Sequence, residues 1–263
     1  MSVSGRSDHV QIARVMGIPI YLHFSWLIIF GLIVWTLSTG YFPAQYPDLP
    51  ASSNWAKGLV ASLLFFVSIV LHELGHSIVA LRHGLRTRSI TLFIFGGVAQ
   101  LEKDPGDGRA ELWMAAAGPL VSLALAGFFY ACAALPFVGP SVAAVAKYLA
   151  VINLILALFN LVPAFPMDGG RLLRGALWGP MGKARATRVA SRAGTFFAFF
   201  LIFAGVFSLL RGDSLAGLWS ILIGWFIKDA SAASYQQVRL DEALRGVTVR
   251  DAMVEGVVTV PST

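Results

Sequence analysis

The chain is poor in charge, and poorer still in acid. Of its 263 residues 14 are Asp or Glu, five are His and one is Cys, with charged residues at 13% against 57% hydrophobic. That small charged fraction, together with a mean hydropathy of +0.72, excludes an ordinary soluble domain, in which about 25% of residues are charged. The lone cysteine, Cys132, excludes an intramolecular disulfide; lying in an apolar run, it reads as packing. The opening segment lacks the basic, apolar and small-residue regions of a cleavable signal in their proper order, so no removed leader is expected. No internal repeat is evident.

What the chain has instead is long apolar sequence. A helix needs about 20 apolar residues to cross roughly 30 Å of hydrocarbon. Six stretches qualify, near 21–39, 59–81, 112–135, 142–165, 194–210 and 214–230. The predicted fold is therefore an all-α membrane protein of six transmembrane helices spanning residues 1–230, with a cytoplasmic linker over 231–263, where the composition turns soluble. One stretch departs from this pattern. Ile90 to Phe95 has the composition of a strand and Gly96-Gly97 punctuates it. Backbone of that kind is tolerable at membrane depth only where protein shields it or a wet cavity borders it. A small re-entrant β element after the second helix is the expectation.

The net charge of +6 could point to nucleic acid, but its distribution says otherwise. Sorting the 20 Lys and Arg by alternate sides of the spans leaves three, Lys57, Lys147 and Arg211, on one side and 17 on the other. This is the positive-inside pattern. It predicts a multi-pass protein integral to the cell membrane, with both termini and the connections after the second and fourth spans in the cytoplasm. The lipid bilayer, and not nucleic acid, is its partner.

Two acids stand within or at the end of apolar segments beside motif-like neighbours: Glu73 and Asp168. An ionisable group in a bilayer costs several kcal/mol unless it is paired or bound to metal, so both are site candidates. In "LHELGH", His72 and His76 are four residues apart, one turn apart on one helical face, and can aim ring nitrogens at one ion. Glu73, about 100° round the axis from His72, can reach a metal-bound water without being a ligand. That is the chemistry of H-E-x-x-H: two zinc ligands and a general base.

A catalytic zinc takes a third protein ligand and keeps one position open. His83 lies about 10 Å beyond His76 along the helix, too far to share an ion, and suits the cytoplasmic edge. His23 opens the first span among aromatics and suits helix packing or the interface. Asp168 is the better choice, because the second and fourth spans run in the same direction and bring it to the depth of His72. In "NLVPAFPMDGGR", Pro163 and Pro166 break the helix, and Gly169-Gly170 is expected to loosen the backbone so that Asp168 can turn back. Asn153 suits an interhelical hydrogen bond. For Asn160 that role and a hold on the substrate carbonyl or its oxyanion are both open.

These residues resemble the site-2 protease family of zinc intramembrane proteases. The likeness rests on His72-Glu73-x-x-His76, Asn160-x-x-Pro163-x-x-Pro166-x-Asp168-Gly169, Gly96-Gly97 and Ala117-Gly118-Pro119, and covers about residues 15–230. Members often carry Leu where this chain has Met167, one apolar residue for another. The resemblance implies one Zn²⁺ per chain held by His72, His76 and Asp168, with Glu73 as catalytic base and Asn160 as oxyanion or substrate contact. It also implies single-span membrane proteins as substrates, cleaved within the membrane to release a cytoplasmic fragment. No PDZ-sized insertion separates the second and third spans. The closing "VTVRDAMVEGVVTVPST" resembles the start of a CBS domain, cut short, through which a homodimer would form.

On this reading the substrate helix must unwind, and an exposed edge of the Ile90 to Phe95 strand is expected to hold it by β-augmentation. A polytopic ion or proton transporter could use the same His, Glu and Asp residues; it predicts ion flux and no peptide cleavage.

Overall fold

The computed structural model describes residues 9–94, 96–212 and 214–244. His9–Val15 (β1) and Ile18–His23 (β2) form a hairpin closed by Met16 and Gly17 at φ 52° and 83°, the backbone that tight two-residue hairpin turns require. Ser25–Thr36 (α1) continues through a π-helical turn, Leu37–Tyr41, into Phe42–Gln45 (α2). Asn54–Arg82 (α3) has 29 residues, about 43 Å at 1.5 Å per residue. Thr87–Phe93 (β3) and Gly96–Leu101 (β4) follow, then Gly108–Ala134 (α4) and Pro140–Asn160 (α5). Asp107 caps α4 by accepting the Ala110 amide at 2.8 Å. Asp168–Met181 (α6), Lys183–Leu210 (α7) and Ser214–Ala243 (α8) complete the described chain.

Among the described residues five helical stretches are long and apolar enough to cross a membrane: Ser25–Gln45, Ala51–Arg82, Gly108–Ala134, Pro140–Asn160 and Lys183–Leu210. They answer to the first five expected spans. The sixth falls in α8, which is helical but not among the five, and which runs unbroken through the domain boundary expected at 230. The segment expected to begin a CBS module, residues 247–263, lies outside the described residues. The outer face of α7 exposes Phe196, Phe199, Phe200 and Phe203, an apolar surface suited to lipid. Where α7 and α8 cross, a Cβ on Gly205 would stand 2.6 Å from the Gly217 carbonyl, so these glycines set the close approach of the two backbones.

The β element is larger than the sequence reading allowed. Four strands form one sheet in the order β1-β2-β3-β4, with β2 and β3 parallel and the outer pairs antiparallel. Residues 21 to 23, expected to open the first span, belong to β2. Strand β3 begins at Thr87 and ends at Phe93, Gly96 and Gly97 are the first residues of β4, and Phe95 lies outside the described residues. Because β3 is paired on both sides, it has no free edge; the free edge on this side is β4. The sheet packs on α3 through Ile18, Leu74 and Ile90 and through Phe66, Ile69 and Leu92, the two turns on either side of His72.

The fourth helix also ends earlier than expected. α5 stops at Asn160, and a seven-residue turn delivers Asp168 as the first residue of a separate helix, α6. Gly169 and Gly170 do not loosen this segment. A Cβ on Gly169 would collide with the Leu161 and Val162 carbonyls, and one on Gly170 with the backbone of Ala164 and Phe165. The glycines let the first turn of α6 press directly on the preceding loop.

Candidate metal centre

His72 and His76 project from one face of α3 and Asp168 comes from α6; all three are buried. The two Nε2 atoms are 3.2 Å apart, and each is 3.1 Å from Asp168 Oδ2. Donors in a tetrahedral zinc shell with bonds of about 2.0–2.1 Å are separated by roughly 3.3 Å. The triangle therefore has the size of one face of such a shell.

The second atoms of the rings agree with this. His76 Nδ1 is 2.7 Å from the Met114 carbonyl, which can only accept, so Nδ1 carries the proton and Nε2 of a neutral ring presents a lone pair. His72 Nδ1 meets Ser122 Oγ at 2.8 Å. Lone pairs and a carboxylate oxygen facing one another in a buried site repel unless a cation lies among them, and fixing the outer ring nitrogen is how proteins orient metal-binding histidines. Gly118 completes the cradle, since a Cβ there would overlap Nε2 of both rings. The residues fit a zinc ion.

The site opens into a cavity of about 840 Å³ bounded by α1, α3, β4, α5, α6 and α8. Glu73 lines it beside the two histidines, and a Cβ on Gly97 would stand 3.0 Å from Glu73 Cγ, which puts β4 directly against this carboxylate. Asn160 lines the cavity too, its Nδ2 donating to the Leu156 carbonyl at 3.0 Å. Asn153 does what a buried amide in a span is expected to do, donating to Ser68 Oγ across helices at 3.2 Å. His23 pairs locally with Ser25, 2.7 Å away, and His83 follows the end of α3. Neither joins the triangle.

Four participants were given no role by the sequence, although Gly118 stands there in Ala117-Gly118-Pro119. Ser122, the Met114 carbonyl and Gly118 all come from α4, and Arg171, one turn after Asp168, lines the cavity. Gly118 and Ser122 are four residues apart, so a small residue and a hydroxyl on one helical face were the legible signal. A fifth group, Glu111, is fully buried and ion-paired with Arg174, with Arg171 Nε at 3.8 Å. Nearby, burial would push the Asp104 carboxyl up, but the Lys183 ammonium 2.7 Å away, with Arg174 and Arg171 beyond it, holds it below the ordinary carboxylate range.

A His-His-Asp donor set with an adjacent glutamate, buried among helices of membrane-crossing length, has the parts of a hydrolytic metal centre inside a multi-pass membrane protein. Residues 60–140 and 136–202 match peptidase family M50. The chain is 37% identical to sll0528 of Synechocystis sp. over all of its own length and 69% of that protein's. It is 37% identical to Rip3 of Mycobacterium tuberculosis over 97% of this chain and 65% of that one. Both carry provisional zinc metalloprotease names. Its structure resembles the site-2 protease of Methanocaldococcus jannaschii with a TM-score of 0.60 at 31% identity, covering 86% of this chain and 95% of the other. The chain belongs to peptidase family M50, and it is a zinc metalloprotease by that membership. It spans about two thirds of the length of the two relatives named first. This membership weighs against the transporter reading.

Proposed function

We propose that the chain hydrolyses peptide bonds inside the transmembrane segments of single-span membrane proteins and releases a fragment to the cytoplasm. The observation that carries the proposal is one cavity shared by the His72, His76 and Asp168 triangle, the Glu73 carboxylate and strand β4. His72, His76 and Asp168 would hold one zinc ion per chain, which supplies a Lewis acid and lowers the pKa of a coordinated water towards neutrality. Glu73 accepts a proton from the attacking water and passes it to the nitrogen of the leaving amine.

A substrate helix has its carbonyls tied up in its own hydrogen bonds, so it must be unwound before attack. The free edge of β4 offers backbone groups to an extended peptide, and a peptide laid there passes Glu73. Asn160, on the cavity wall, would turn its amide from the Leu156 carbonyl towards the scissile carbonyl or its oxyanion. The enzyme sits in the cell membrane with both termini cytoplasmic, a topology supported by the bias of basic residues. A CBS module following α8 would pair two copies of the chain.

The test is Glu73→Gln, assayed for cleavage of a transmembrane substrate and for zinc content. Gln matches Glu in size and leaves the three ligands alone, so zinc stays. Cleavage falls by about 10²- to 10⁴-fold, the usual worth of general acid–base assistance. Near-normal cleavage with zinc bound would remove Glu73 from the mechanism.

A further inference from the structure

A second concavity, separate from the metal centre, opens between α7 and α8. It holds about 280 Å³ and is lined by Arg188, Ser191, Arg192 and Thr195 of α7 and by Ser231 and Tyr235 of α8. Spacings of three and four residues put the α7 group on one helical face, opposite two α8 residues one turn apart. Its depth is informative. Lys183, Arg185, Arg188 and Arg192 occupy the start of α7, and the apolar run begins directly after them. The cleft therefore sits where a basic segment meets a membrane-crossing one, at the level of lipid phosphates.

The hydrogen-bonding inventory of the cleft is incomplete in one direction. Thr195 Oγ1 donates to the Ser191 carbonyl at 3.0 Å, and Ser231 Oγ donates to the Phe165 carbonyl at 2.6 Å. Arg188 Nε donates to Tyr235 Oη at 2.7 Å, with its guanidinium 5.3 Å from the ring centroid, so the fork is held in place with its terminal nitrogens left over. Among the described residues neither Arg188 nor Arg192 has a carboxylate partner. Ser191 is only 6% exposed, yet among the described residues its hydroxyl has no hydrogen-bond partner. Buried hydroxyls are rarely left unpaired, because the desolvation cost goes uncompensated. Two cations and one unpaired donor line a single cleft, and a guanidinium fork matches the oxygens of phosphate.

We propose that this cleft is a phosphate-binding site, filled by the phosphodiester of an anionic lipid or by free phosphate, which present the same oxygens. The proposal is independent of the protease reading. It is tested on the purified full chain by titrating mixed micelles containing phosphatidylglycerol, then micelles containing oleate, which is anionic without phosphate, and separately inorganic phosphate. Saturable binding of phosphatidylglycerol in preference to oleate is expected. The double variant R188Q/R192Q should weaken it about 25-fold, at roughly fivefold per arginine near an anionic headgroup, and Ser191→Ala about tenfold. All variants should keep their zinc, since none of these side chains touches the metal centre. Saturable binding of inorganic phosphate with the same dependence on the variants would assign free phosphate as the source. Equal binding of oleate, or undiminished binding by R188Q/R192Q or by Ser191→Ala, would overturn the site.

Discussion

The metal centre has two halves, and they are built differently. His72 and His76 lie in mid-helix on α3, where a four-residue spacing brings their rings together and α4 holds both from behind. Asp168 is the first residue of α6, and the local bonds of its turn, such as that from the Met167 amide to the Ala164 carbonyl, do not by themselves bring it to α3. It is held from outside. The amide of Phe165 donates to the Ala190 carbonyl on α7, its carbonyl accepts from Ser231 on α8, and Arg174 on α6 is locked to Glu111 on α4. One half of the site is secondary structure; the other is tertiary structure. The first depends on one other helix, α4, whereas the second depends on three.

The sharpest way to break this comparison is to disturb the histidine half through α4 alone. Gly118→Ala puts a methyl group into both Nε2 atoms, and since the outer ring nitrogens are already bonded, the rings cannot retreat without losing Ser122 or Met114. Zinc content of the purified variant should fall to background and cleavage with it. A variant with full zinc would show that the rings are freer than the two bonds imply. Asp168→Asn attacks the other half more mildly. The amide keeps the shape of the carboxylate but is a poorer zinc ligand. Chelator competition should show zinc bound about 10- to 100-fold more weakly while the protein stays folded.

The same division explains what could be read from the sequence. H-E-x-x-H is legible because its geometry is that of one helical turn, and Asp168 because prolines and depth single it out. The sheet was largely hidden. In β4 the sequence GGVAQL has little strand character, and in β2 IPIYLH merges into the apolar run that follows. Helix α6 was hidden as well, since "DGGRLLRGALWGPM" has three charges and four glycines, and its burial comes from α4 and the 161–167 loop. Glu111 stands one residue before the expected third span and nothing beside it marks a role, because its partner lies 63 residues away. What stayed illegible was what long-range packing decides.

The smallest expected effect on zinc, and the most informative about the tertiary half, belongs to Glu111→Gln. Glu111 is fully buried, and among the described residues its carboxylate is balanced by Arg174 and, at 3.8 Å, Arg171. Removing one partner of a buried pair leaves the other charge uncompensated, commonly at about 3–5 kcal/mol. Thermal unfolding should register that loss. Zinc affinity should also drop by a few-fold, because α6 is no longer anchored at Arg174 and Asp168 is less often in register with His72 and His76. A second variant separates these effects. Replacing both partners, as E111M/R174M, removes the buried charges together, and such exchanges are often neutral for stability. If the ion pair positions Asp168, the double variant recovers stability but not zinc affinity. Recovery of both would mean that packing of α6 on α4, through Gly108 and Gly175, suffices to place the third ligand.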